Sequence, residues 1–296
     1  MIAAVIVVAA AGAVSLAAFE AFGESHPAPR VQASEQRGSR ASVPVRAARK
    51  HRALVRRRPG TEPVPILMYH VIAAPFADSP YPGLYMPPAE FSAQMNALAA
   101  AGYHAVTLDQ VRRYWQRGTP LPRKPIVLSF DNGYRSQYTQ ALPILQRHGW
   151  VGVENLQLSG LPPSQGGLSA REVRALLAAH WELDTQGFNH ADLITLGAAD
   201  LHHEVAESRN QLEREYHVPV NWFCYPSGHY NPTVVAAVTA AGYVGATTVV
   251  FGWAHHDEDP YELPRLRVLG GTSPAELLAM VAAARDDGPP GSSYPP

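Results

Sequence analysis

The residues with the strongest claim to chemistry are Asp131, His190 and Ser227, because each stands at or just beyond the end of an apolar segment that reads as a β-strand. A carboxylate so placed can take a proton from water, an imidazole can return one or bind a metal, and a small polar turn can offer N–H groups to an oxyanion. The most informative stretch is Ile126-Val-Leu-Ser-Phe-Asp-Asn-Gly-Tyr134, where an apolar run delivers Asp131 to the mouth of a sheet. Gln186-Gly-Phe-Asn-His190 and Phe223-Cys-Tyr-Pro-Ser-Gly228 follow at later strand ends. Each group alone also has a plain structural reading. Asp131 could form an Asx turn or cap a helix; His190 could open a helix whose first turn holds Asp192; Tyr225-Pro-Ser-Gly228 could be only a turn. Their shared position at the carboxyl ends of strands is what points to a cleft.

Those strands belong to an alternation of short apolar runs and amphipathic stretches beginning after Pro63, the pattern of βα units around a parallel sheet. Strands are expected at 64–70, with His70 at its end, and at 105–108, 126–130, 181–183, 222–225 and 244–250. Helices are expected at 88–101, closed by Gly102, then from Asp109, and at 137–148, 169–179, 198–216, 232–241 and 274–284. The count predicts one α/β domain over residues 63–285, a deformed (β/α) TIM-like barrel with its reactive groups on the loops after the strands. No internal repeat is present.

The chain of 296 residues, 46% hydrophobic and 17% charged, has ordinary globular composition. Its net charge of −1 conceals an arginine-crowded stretch between Arg30 and Arg58. A single cysteine, Cys224, excludes an intramolecular disulfide and a thiolate metal cluster. The unbroken apolar run from Ile2 to Phe19 predicts a signal peptide or membrane anchor over 1–23. A retained anchor is preferred, since no clear Ala-x-Ala site precedes the polar stretch; the alternative is a buried Ala-rich helix. Basic residues lie only after the run, which opposes simple export, and a basic start lost through misplaced initiation would resolve that. Residues 24–62, rich in Pro, Ala, Ser and Arg, read as a disordered tether, with an electrostatic clamp on anionic wall polymer or lipid as the alternative. Nucleic acid is excluded as a partner because the basic residues are not interleaved with aromatics. Residues 286–296 read as a disordered tail.

Taken together, the motifs resemble those of the polysaccharide deacetylase (NodB-homology, carbohydrate esterase four) family over about Pro63 to Ala284. Pro65-Ile-Leu-Met-Tyr-His70 looks like the opening motif of its secreted, wall-acting branch. The family's first motif, Thr/Ser-Phe-Asp-Asp-Gly, holds the general base and then a metal ligand; here Asp131 matches the base, and Asn132 stands at the ligand position. The second motif supplies two histidines, of which this chain has Gln186 in place of the first and keeps His190 as the second. Tyr225-Pro-Ser-Gly228 matches the third motif, and Leu263-Pro-Arg-Leu-Arg-Val268 resembles the late motif that closes the site. A Leu-x-His motif, where many members carry the general acid, is missing.

The resemblance implies a hydrolase that removes acetyl groups, most simply N-acetyl, from a cell-envelope glycan. Asp131 would be the base and His190 the acid or a ligand, with Tyr134, Tyr225, Ser227, Gly228 and Arg265 around the substrate or oxyanion. It also implies a divalent, zinc-like metal at Asn132, Gln186 and His190, yet two of these are neutral amides that suit zinc poorly. Three outcomes follow: His70, His229, His255 or His256 rebuilds a metal site; the cleft hydrolyses without metal; or it binds glycan without turnover. The alternatives to an enzyme are therefore a silent glycan-binding domain using the same cleft and, with less support, a wall tether acting through the Arg-rich linker. Tyr134, Trp222, Tyr225 and Tyr230 could stack on sugars or simply pack in the core. The expected location is extracytoplasmic, membrane-anchored or secreted.

Overall fold

Alternation along short parallel strands decides which side chains enter the barrel. The computed structural model describes residues 58–79, 81–159, 161 and 166–286; the expected anchor, most of the linker and most of the tail lie outside the described residues. The strands are β1 (Ile66–Tyr69), β2 (His104–Val106), β3 (Pro125–Asn132), β4 (Val153–Leu156), β5 (Glu182–Thr185), β6 (Trp222–Cys224), β7 (Gly245–Thr247) and β8 (Leu266–Arg267). They pair in the order β7-β6-β5-β4-β3-β1-β8, with β2 beside the amino-terminal half of β3. All ladders are parallel. The gap between β7 and β8 is bridged by the chain before β8, where Thr247 pairs with Leu263 and Arg265 N–H donates to Val250 O at 2.8 Å. That irregular closure is the deformation of the expected barrel.

Helices α1 (Pro88–Ala100), α2 (Leu108–Arg117), α3 (Leu142–Gln146), α4 (Ala170–Ala178), α5 (Ala198–His202), α6 (Ser208–Tyr216), α7 (Pro232–Ala240) and α8 (Pro274–Asp286) connect and flank the strands. Three begin with reciprocal capping boxes, Thr107 with Gln110, Ser169 with Glu172 and Ser273 with Glu276, which satisfy otherwise orphaned N–H groups. The helix expected at 137–148 opens instead as a π turn, Gln137–Ala141. Pro143 lacks the N–H that would close an α turn there. The helix expected at 198–216 is split by a second π turn at His203–Glu207. Strand β4 was not expected, because Val-Glu-Asn-Leu is half polar, and neither was the two-residue β8. Residues at the end of the expected linker are held against α2: Gly60 N–H donates to Tyr114 O at 2.9 Å, and Trp115 Nε1 to Glu62 O at 2.9 Å.

On β3, Ile126, Leu128 and Phe130 face the outer helices, where Phe130 stacks on Trp181 at 4.9 Å. Val127, Ser129 and Asp131 therefore face inward. The amino end of the interior is apolar, with Ile66, Val127, Val153 and Trp222 packed together. A Cβ at Gly245 would collide with the Trp222 ring and Pro260 O, so the indole needs glycine on the neighbouring strand. Above this plug the inward row turns polar, through Ser129, Asp184 and Arg265 to Asp131. Apolar packing thus supplies a rigid floor and leaves the carboxyl end to chemistry.

The inward row of β5 puts Glu182 and Asp184 together near Asp109. Glu182 is half-buried as a residue, but its carboxyl is enclosed and shares a hydrogen bond with Asp184. Burial, then the Asp109 charge, raises Glu182 from 4.5 to about 7, and burial raises Asp184 as well. A raised carboxyl binds its proton more tightly folded than unfolded, so its contribution to stability falls as pH climbs from about 4.5 to about 7. Glu182→Gln keeps an acceptor for Asp109 N–H and removes the titration. Urea midpoints of the variant and the native chain are therefore expected to diverge in the variant's favour as pH rises across that interval.

Candidate active site

Asp131 ends the inward row of β3, in the strand itself and not in the loop beyond it. It is 1% exposed. Its Oδ1 accepts Asn155 Nδ2 at 2.8 Å and Arg265 Nη1 at 2.8 Å; its Oδ2 accepts Arg265 Nη2 at 2.9 Å and the Cys224 thiol at 3.6 Å. Burial alone would raise the carboxyl, but the Arg265 fork, His70 and Asn155 outweigh it and hold Asp131 at about 2. It is therefore a carboxylate at any physiological pH, and a weak base. The turn that follows needs Gly133, whose φ is 85° and whose Cβ would collide with Leu156.

His70 faces the same point from the end of β1, with Nε2 3.9 Å from Asp131 Oδ2. Its Nδ1 is buried without a partner. Burial, reinforced by Arg265, Arg267 and His190 against the pull of Asp131, lowers the ring to about 4, so it is neutral. His190 sits half-buried in a left-handed turn, φ 60°, and burial lowers it too. Ser227, φ 55°, is exposed at the third motif.

Other expected site residues are placed differently. Arg265 is 0% exposed and all its donors are spent on Asp131, Ser129, Cys224 and Thr248, so it stands behind the base and has no surface for substrate. Tyr225 is equally buried, with its hydroxyl donating to Tyr261 O at 3.0 Å. Tyr134 is 8% exposed and packs with Val71 and Tyr85. Gly228, φ 75°, leaves no room for a Cβ against Val249. Trp222 is core. Asn155 and Cys224 reach Asp131 without having been singled out; the signal was strand parity, since Asn155 lies directly across from Asp131 in the β3–β4 register.

The family's metal positions do not fit a zinc-like ion. Gln186 Oε1 accepts the Asn132 N–H at 2.9 Å, and Asn132 Nδ2 donates to Gln157 Oε1 at 3.1 Å. Both amides are neutral and committed to each other's loops, leaving His190 as the one retained family ligand. Among the described residues no group of three His, Cys, Asp or Glu side chains is placed to hold a metal ion. The suggested substitutes do not supply one. His255 and His256 follow Ala254, which pairs with Val64 at the opposite end of β1, and His229 lies 3.2 Å from Asp192.

Removing Arg265 would leave Asp131 buried without its counter-ion, a loss of roughly 3–5 kcal/mol. The native carboxylate contributes stability above its unfolded value of 3.8 and loses it as pH falls toward about 2. In Arg265→Leu burial is left to raise the carboxyl above 3.8, so that acid limb is expected to vanish or reverse, with the deficit against native larger at pH 7 than at pH 3; denaturant titrations at pH 3, 5 and 7 would read both effects.

Residues 118–246 match the family model for polysaccharide deacetylase. The Bacillus subtilis (strain 168) protein "Putative polysaccharide deacetylase YxkH" is 25% identical over 222 residues, covering 75% of this chain and 77% of that protein. A 52-residue segment is 48% identical to the poly-beta-1,6-N-acetyl-D-glucosamine N-deacetylase of Escherichia coli (strain K12), covering 18% of this chain and 8% of that protein. Among solved structures, the Streptococcus pyogenes deacetylase PplD, in complex with acetate, superposes with TM-score 0.68 at 24% identity, over 75% of this chain and 99% of that one. BC0361, a polysaccharide deacetylase from Bacillus cereus, gives TM-score 0.66 at 24% identity, over 75% and 69%. These two likenesses concern the fold. In its motif order, its barrel and the matched residues 118–246, this chain is similar to the polysaccharide deacetylase family.

Proposed function

We propose that the cleft at the carboxyl end of the barrel binds an N-acetylated glycan of the cell envelope and hydrolyses its acetamide. The observation that carries this is the ionised Asp131 at the family's base position, held 3.9 Å from the neutral ring of His70. Water adds to the acetamide carbonyl as its proton passes to this pair; the C–N bond then breaks, the amine leaves protonated, and acetate is released. Asp131 at about 2 retains a proton poorly, and His70 at about 4 retains it better, so the ring is the proton's resting place. His190 is the second imidazole available to the leaving amine, and the exposed Ser227 turn is the place for the oxyanion. No step here runs through a metal. The E. coli relative's printed name supports a glucosamine polymer as the substrate class.

A second reading, binding without turnover, is favoured by the amide-to-amide hydrogen bonds at the ligand positions. In either reading the expected segment over 1–23 would place the domain outside the cytoplasm, anchored or secreted; among the described residues no helix is long and apolar enough to cross a membrane.

Acetate release from N-acetylglucosamine oligomers, measured beside calorimetric binding of the same oligomers, separates the readings. Turnover that drops by about 10²-fold or more in both Asp131→Asn and His70→Gln is expected for the enzyme. His70→Gln is needed because Asp131→Asn also unbalances buried Arg265. Binding by the native chain with no acetate released would make the silent domain the correct reading.

A further inference from the structure

We infer that a hydrogen-bonded amide tie has taken over the mechanical task of the family's metal, so that the mouth of this barrel is assembled without a cation. Asn132, at the end of β3, adopts φ 77°, a left-handed conformation that asparagine tolerates. In that conformation its N–H meets Gln186 Oε1, from the end of β5, at 2.9 Å. Its side chain turns the other way and donates to Gln157 Oε1, just past β4, at 3.1 Å, and Gln157 Nε2 in turn donates to Ser159 O. One line of amides thus crosses three adjacent strand ends. All three side chains are nearly buried, with exposures of 7%, 7% and 3% for Asn132, Gln157 and Gln186. A shared metal would tie the same loops together; here the substituted residues do so themselves.

Electrostatics points the same way. A dication is stabilised by anionic or imidazole donors, but Asn132 and Gln186 bring no charge. The carboxylate beside them is already neutralised by the Arg265 guanidinium at 2.8 Å and 2.9 Å. Bringing a cation into that mouth would set it against a buried arginine and would require Gln186 Oε1 to abandon the Asn132 N–H it accepts at 2.9 Å. The substitutions therefore form a matched set. Gln186 is the acceptor for Asn132, and Gln157 for its side chain.

The inference concerns the family's metal positions and holds whether or not the glycan is turned over, so its failure is read in metal content and melting temperature, not in acetate. The purified full chain, incubated with zinc or cobalt chloride and desalted, is expected to keep well under one equivalent by elemental analysis, with a Tm unmoved by EDTA. Near-stoichiometric metal that disappears in His190→Ala would overturn the proposal; metal kept equally by His190→Ala lies elsewhere and leaves it standing. The back-substituted Asn132→Asp, Gln186→His double variant is expected to melt lower than native in EDTA and to recover with zinc. A native-like Tm in EDTA would mean the tie holds nothing and would overturn it. If that variant does not fold, the cycle of Asn132→Ala, Gln157→Ala and their double variant decides. Coupled losses, the double variant falling only about as far as either single, about 2–4 °C, support the tie, and additive losses refute it.

Discussion

The buried pair of Asp131 and Arg265 is the interaction on which the mouth of the barrel depends. The two residues lie 134 positions apart in the sequence, and the guanidinium also anchors to Thr248 O at 2.8 Å and Ser129 Oγ at 3.1 Å. Neither charge is tolerable alone in that environment, because an ion removed from water needs a compensating ion and a full set of hydrogen bonds. The pair therefore closes the irregular side of the barrel, where β8 is short, and fixes the carboxylate toward the cleft. It also sets the chemical character of that carboxylate. Four donors make it permanently ionised and correspondingly reluctant to accept a proton.

That reluctance reorganises the rest of the site. A strongly paired Asp131 gives the neutral His70 ring, with its unpartnered Nδ1, the better claim on a proton. It also leaves no uncompensated negative charge to draw a dication to Asn132 and Gln186. Deeper in the barrel burial raises Glu182 and Asp184, and it raises Glu154, on the outer face of β4, whose two carboxyl oxygens are unpartnered.

Much of this was legible from residue order. The alternation of apolar runs and amphipathic helices led to the barrel, and strands β1, β3, β5, β6 and β7 were all anticipated within a few residues. Strand β4 escaped because Glu154 and Asn155 break its apolar pattern, and the helix after β3 was read as regular although Pro143 removes the donor a regular turn requires. Arg265 was read as a residue facing substrate, since a sequence motif marks that a residue is near a site without saying which of its sides faces the ligand.

By itself the sequence determined the likeness to the polysaccharide deacetylases, the barrel and the two amides standing at that family's metal positions, because these are matters of residue type and of spacing along local elements. Only the tertiary structure decided that Arg265 serves Asp131, that Asn155 and Cys224 complete its shell, and that Asn132, Gln157 and Gln186 form one line. Those contacts join residues up to 134 positions apart. They depend on the register and inward parity of strands two to eight residues long, and a shift of one residue in any of them would turn its side chain to the other face of the sheet.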